Sequence, residues 1–147
     1  MSIAAKIRRA PLRLTTGAFI LNSGLNKIKG DEQTAQALHG MAVGAYPVLD
    51  RVKPKPFLTL LAISEITVGG LLLLPLAPAG LAGLALLGFS GAMVGLYVRT
   101  DGLHDKYLRP SQEGTAIAKD TWMAAIGVAL IVDAALSESP ITRTEGP

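Results

Sequence analysis

Residues 57–98 read FLTLLAISEITVGGLLLLPLAPAGLAGLALLGFSGAMVGLYV, and this stretch decides the fold. Across 42 residues it carries one ionisable side chain, Glu65, while Lys53, Lys55 and Arg99 stand just outside its ends. A hydrocarbon core about 30 Å thick takes about 20 helical residues at a rise of about 1.5 Å each, so the stretch has room for two crossings and a tight reversal. The reversal is written as Pro75-Leu76-Ala77-Pro78-Ala79-Gly80, which no single helix continues through. The reading is a transmembrane hairpin, residues 57–74 and 80–98.

Working outward, the whole chain of 147 residues is 50% apolar and only 17% charged. With a mean hydropathy of +0.41, that places it in the membrane class as a single domain, residues 1–147. No cysteine is present, which excludes disulfides, thiol redox centres, iron-sulfur clusters and thiolate zinc sites. The formal charge of +3 fits basic anchors beside lipid headgroups. Nucleic acid is not an expected partner, because no aromatic-interleaved basic tract exists.

Before the hairpin, Lys6, Arg8, Arg9 and Arg13 precede a run from Leu14 to Leu25. This resembles a secretory signal, but Thr15, Thr16, Asn22 and Ser23 interrupt the apolar part and no small-residue cleavage site follows, so an uncleaved first membrane helix near residues 11–28 is expected. At about 100° per residue, Thr15, Thr16, Asn22, Ser23, Asn26 and Lys27 share one face, opposite Gly17, Ile20 and Gly24. A polar face at membrane depth has to meet protein or water, so this stripe is expected to point into a bundle.

Between the first helix and the hairpin, Asp31 reads as an N-cap, and Ala35, Leu38, Met41, Ala42 and Ala45 recur at three and four. Two readings stand: a surface amphipathic helix or an ordered loop over the helix ends. After the hairpin, residues 99–120 are polar, and His104 with Asp105 reads as a solvated segment rather than a metal centre; no metal site is expected. A last span follows at about residues 115–136, with Asp120, Ala124, Gly127 and Ile131 on one face, and a polar tail from 137 to 147. The expected architecture is all-α: a four-transmembrane-helix bundle with a surface amphipathic segment between helices 1 and 2.

Glu65 is the chemically informative residue. A charge near the midplane costs about 3 kcal/mol, while the seven leucines, Phe57, Ile63, Ile66 and Val68 return roughly 3 to 6, so the span still inserts. The carboxyl then needs a partner or a proton. The expected intramembrane cluster, a candidate ligand or proton site, is Glu65 with Asn22, Ser23, Asn26 and Lys27. Helix packing is expected at Gly69, Gly88, Gly91 and Gly95, the last two in a GxxxG spacing.

These motifs resemble the DoxX-like family of small four-helix membrane proteins. The likeness rests on residues 14–27 (LTTGAFILNSGLNK, closing in Gly24-x-x-Lys27), on residues 65–73 (EITVGGLLL) and on Lys119-Asp120, and it spans about residues 12 to 136. It implies a place beside thiosulfate:quinone oxidoreductase subunits or bacterial membrane complexes that handle oxidative stress. This chain lacks the cysteines a thiol relay would need. With no nucleophile and base pair, phosphate loop or ligand set, no catalytic residue is assigned, and no cofactor is implied by motif. The leading expectation is a non-catalytic accessory or assembly subunit whose partners are the lipid bilayer and other membrane proteins. The alternative is a quinone- or lipid-binding subunit of a membrane oxidoreductase with Glu65 in its site. The expected location is the bacterial cytoplasmic membrane. Both termini are expected inside: the basic residues before the first helix argue for it, although Lys6, Arg8, Arg9, Arg13 and Arg143 would then face nine others of the 14 outside.

Overall fold

The computed structural model describes residues 3–138, and over them the chain is mostly helical, with no strand. In order come α1 (Ile3–Ile28), α2 (Glu32–Ala45), a 3₁₀ turn (Pro47–Arg51), α3 (Pro54–Leu73), α4 (Ala79–Arg99), α5 (Thr115–Ala118) and α6 (Asp120–Glu138). The hairpin forms where the prolines place it. Leu74 N–H donates to Gly70 O at 2.9 Å and closes α3, and Ala82 N–H donates to Pro78 O at 3.0 Å and opens α4. The start of α3 lies earlier than expected, at Pro54, because a proline in the first turn lacks only an N–H that has no intrahelical partner anyway.

Three helical stretches are long and apolar enough to cross a membrane: Pro54–Leu73, Ala79–Arg99 and Thr115–Ser137. Four were expected. The first helix is long enough, at 26 residues, but Lys6, Arg8, Arg9, Arg13 and Lys27 hold its polarity too high. It also begins at Ile3 rather than near residue 11, running straight through Pro11. The two extra turns are held from outside: Arg8 donates to Asp133 Oδ1 at 2.6 Å, and Arg9 Nε lies 2.5 Å from Asp133 Oδ2 on α6. The last span runs from Thr115 to Ser137 as expected, with one local turn at Lys119 between α5 and α6. Ser137 belongs to α6, and the tail expected beyond it lies outside the described residues from 139 onward, Arg143 included.

Two glycine-mediated helix pairs form the body. Where α1 runs antiparallel to α3, a methyl group on Gly24 would sit 2.8 Å from Ala62 O and one on Gly69 2.7 Å from Leu21 N. Where α4 meets α6, a methyl on Gly83 would sit 2.8 Å from Gly127 O. Those separations leave no space for a side chain, so backbone touches backbone. Ile20, Val68, Leu72, Leu86, Met123 and Leu130 fill the space between the pairs.

This packing corrects two expectations. A methyl group on Gly88 or Gly91 would meet nothing within 4 Å, because Ala79, Ala82, Leu86, Ser90 and Tyr97 set the buried face of α4 and these glycines stand on the far side of it. Gly95 meets only the hydroxyl end of Tyr46. The polar stripe of α1 is also divided: Gly17, Ile20, Gly24 and Thr16 are buried, Ser23 and Lys27 are half-buried, and Thr15, Asn22 and Asn26 are exposed. The glycines win the interface because they allow the closer approach.

The segment after α1 is a helix, and it lies across the ends of α3 and α4. Asp31 accepts from Thr34 N–H at 2.8 Å as its cap, and Ala35, His39, Ala42 and Ala45 are buried beneath it. His39 Nε2 sits 3.1 Å from Leu49 O, tying the helix to the following 3₁₀ turn.

Candidate ligand site between the helix pairs

Toward α2 the two helix pairs separate and enclose a cavity of about 390 Å³. Phe19, Phe57, Leu61, Phe89, Met93 and Leu96 wall it, with Leu38 and Met41 of α2 above. Its polar groups are Ser23, Lys27, Glu65, Lys119 and Asp120, with the Tyr46 hydroxyl already donating to Ala92 O. An apolar volume of this size with a few polar groups at its edge is the usual form of a small-molecule site.

The first polar group is built by spacing. Ser23 and Lys27 are one turn apart on α1, and Gly24 between them brings α3 close enough for both to reach Glu65. Lys27 Nζ lies 2.9 Å from Glu65 Oε1 and donates to Ser23 Oγ at 2.7 Å; Ser23 donates to the same carboxylate oxygen at 3.2 Å. Glu65 is 6% exposed. The second group comes from the α5–α6 break, where Lys119 Nζ donates to Asp120 Oδ2 at 2.9 Å and also covers the Phe19 ring at 5.3 Å. Asp120 is 2% exposed, and Lys27 is within electrostatic reach of it, so both pairs belong to one field.

Each pair is half satisfied. Glu65 Oε2 and Asp120 Oδ1 are buried and have no hydrogen-bond partner among the described residues. A buried acceptor left unmade costs about 1–3 kcal/mol, more when charged, so two on one cavity favour anything that donates to them.

Of the expected cluster, the structure unites Glu65, Ser23 and Lys27, whereas Asn22 and Asn26 face outward, on the side of α1 away from α3. Sequence reasoning placed Asp120 on a packing face and missed that it joins the same cavity; the available signal was a Lys-Asp pair at the mouth of an otherwise apolar span. Among the described residues no three His, Asp or Glu side chains converge. His104 directs both ring nitrogens at carbonyls, Nδ1 to Asp105 O at 2.8 Å and Nε2 to Val98 O at 3.1 Å.

At the opposite end of the bundle lies a second polar centre that the sequence disguised as a flanking anchor. Arg13 is 7% exposed, and its guanidinium donates to Leu72 O at 2.8 Å, Ala77 O at 3.0 Å, Leu71 O at 2.9 Å and Leu74 O at 2.6 Å. These carbonyls belong to the end of α3 and the hairpin turn, and only Leu74 O has a turn partner as well, the Ala77 N–H at 3.1 Å. One planar fork caps both.

No family model, curated protein or solved structure matches this chain.

Proposed function

We propose that this chain is a four-crossing membrane protein that binds a lipid-soluble small molecule with a polar head, as a subunit of a larger bacterial membrane complex. The observation that carries the reading is the pair of lysine–carboxylate couples on one apolar cavity, each keeping one buried oxygen without a partner. An accessory subunit that only fills space has no need of such acceptors. A head that both donates and accepts suits the site best: Glu65 and Asp120 take its hydroxyl protons, and Lys27 and Lys119 give hydrogen bonds to its carbonyls. Quinones and quinols are the class with that chemistry and an apolar tail, and a bound quinone would supply two-electron, two-proton redox capacity. The chain's own part is to orient the head and to hold a proton at Glu65 or Asp120.

The fourth crossing rests on α1 itself, which follows α3 from Arg13 beside Leu72 to Gly30 O, which accepts from Lys55 Nζ at 2.6 Å. A helix that accompanies a crossing helix from end to end crosses with it. Both termini then lie on one side, and the basic N-terminal flank favours the cytoplasmic one.

The test is titration of the nanodisc-embedded protein with short-tailed quinone and quinol analogues. Saturable binding that weakens at least tenfold in Ala42→Trp, which fills the cavity, supports the reading. Absence of saturable binding, together with no lipid-soluble compound in a solvent extract of the purified protein, sinks it.

A further inference from the structure

A groove of about 270 Å³ lies between the N-terminal half of α1 and the turn that joins α3 to α4. It is separate from the cavity described above and at the other end of the bundle. Lys6, Arg9 and Arg13 form one side of it, and Leu14, Leu73 and Leu76 the other. We infer that this groove binds the headgroup of an anionic phospholipid, the phosphate against the basic side and the glycerol and first acyl carbons against the leucines.

The charge balance points that way. Arg13 spends its donors on four backbone carbonyls, which are neutral, and no carboxylate among the described residues pairs with it. Arg9 stands near enough to repel it. Arg8 and Arg9 both turn to Asp133, and Lys6 makes no hydrogen bond or ion pair among the described residues. Among the described side chains four cations therefore crowd a short length of helix beside one carboxylate, Asp133, and none of those side chains offers Arg13 a counter-ion, which is costly for a buried guanidinium.

The apolar side decides between a lipid and a soluble anion. Leu76 is 94% exposed and Leu14 55%, at the point where the apolar length of α3 ends and the headgroup layer of a bilayer begins. A free phosphate has no use for those leucines, whereas a phospholipid covers them as its phosphate meets the cations. Basic pockets at helix ends facing an anionic leaflet take such headgroups.

The test uses the full chain in nanodiscs of phosphatidylcholine with an equal share of phosphatidylglycerol, and native mass spectrometry to count which lipid stays bound on release. Wild type is expected to retain phosphatidylglycerol preferentially, and Lys6→Gln to lower that preference about fivefold, the effect of one charge near the surface. Lys6 is exposed and unpartnered, so this variant folds as wild type does; Lys106→Gln, at the other end of the bundle, is the matched control. Equal losses in the two variants would mean diffuse attraction and overturn the site. Leu76→Asp is expected to abolish the preference while thermal stability in pure phosphatidylcholine stays unchanged. Millimolar glycerol phosphate should leave the retained lipid in place; displacement of the lipid by it would assign the groove to a soluble phosphate and overturn the lipid reading.

Discussion

Lys27 Nζ lies 2.9 Å from Glu65 Oε1, and this ion pair ties α1 to α3 one turn from the close approach at Gly24. Lys27→Met would leave a buried carboxylate with only the Ser23 hydroxyl, and a loss of about 1–3 kcal/mol in bundle stability is expected. Glu65→Gln keeps a hydrogen-bonding group of nearly the same shape and should cost less than about 1 kcal/mol. Removing both partners, Lys27→Met with Glu65→Leu, should recover much of the single loss, since no charge is then stranded. Steric-trap unfolding in bicelles reads these variants and Glu65→Leu alone, and a double variant whose loss equals the sum of the Lys27→Met and Glu65→Leu losses would refute the coupling.

The glycines divide into those that touch another backbone and those that face outward, and substitution separates them. Gly69→Val has its Cβ within 2.7 Å of Leu21 N and should cost about 1–3 kcal/mol or prevent assembly of the bundle. Gly91→Val meets nothing within 4 Å and should leave the monomer's melting temperature unchanged. A Gly91 variant that unfolds as readily as the Gly69 variant would show that the GxxxG spacing of α4 packs inside the bundle after all.

What could be read from sequence follows from how local each determinant is. The hairpin was legible because Pro75 and Pro78 act through their own backbone, and the cap at Asp31 because it acts within one turn. Which glycines pack was not legible, for Gly88 and Gly91 differ from Gly83 only in the phase of α4 against a partner helix distant in sequence. The same applies to α1: Asn22 and Ser23 are adjacent in the chain, yet only Ser23 falls on the α3 side. Arg13 was the hardest to read, since a buried capping arginine and a headgroup anchor have the same sequence signature and are told apart only by where the hairpin turn lies.

Arg13 provides the next test. Replacing it by Met removes four hydrogen bonds to carbonyls of the α3 end and the turn, of which Leu74 O keeps the Ala77 N–H, and a loss of about 3 kcal/mol is expected at a net value near 1 kcal/mol each. Arg13→Lys keeps the charge but lacks the planar fork, so it should recover less than half of that. Hydrogen exchange should localise the damage to residues 71–78. Protection there equal to wild type in Arg13→Met would show that the turn closes without the cap.

His104 lies in the polar connection, outside the spans, and the carbonyls of Asp105 and Val98 that face its two ring nitrogens raise its pKa above the ordinary histidine value. Both N–H groups donate only in the imidazolium. The contribution to loop order is therefore complete below the unfolded-state pKa, near 6.5, and is lost as pH rises through the higher folded value. Titration of the His104 ring by NMR should show the upward shift, and protection of residues 100–111 should fall over the same interval. In His104→Asn the fall with pH should vanish, and a profile that persists there would assign it to another group.

The proposed fourth crossing rests on one comparison. Arg13 caps the end of α3 at Leu72, Gly24 lies against Ala62 at the middle of α3, and Lys55 bonds Gly30 at the other end, so α1 and α3 run side by side in opposite directions over the same length. The charges of α1 do not oppose this, because Arg8, Arg9 and Arg13 gather at one end, where the hairpin turn lies, and Lys27 at the other. What lies between is Leu14 to Asn26, whose length of about 20 Å, at about 1.5 Å per residue, is short for a bilayer, and the charges at its two ends are partnered within the bundle, Arg13 by the hairpin-turn carbonyls and Lys27 by Glu65. The chain has no cysteine of its own, so single cysteines can be introduced without background at Ala4, Gly40, Ala77 and Lys106. With four crossings, an impermeant maleimide added to sealed vesicles should label Ala4→Cys together with Ala77→Cys, and Gly40→Cys together with Lys106→Cys from the opposite face. If α1 lies along the surface instead, position 4 labels from the same face as position 40, and the fourth crossing is lost.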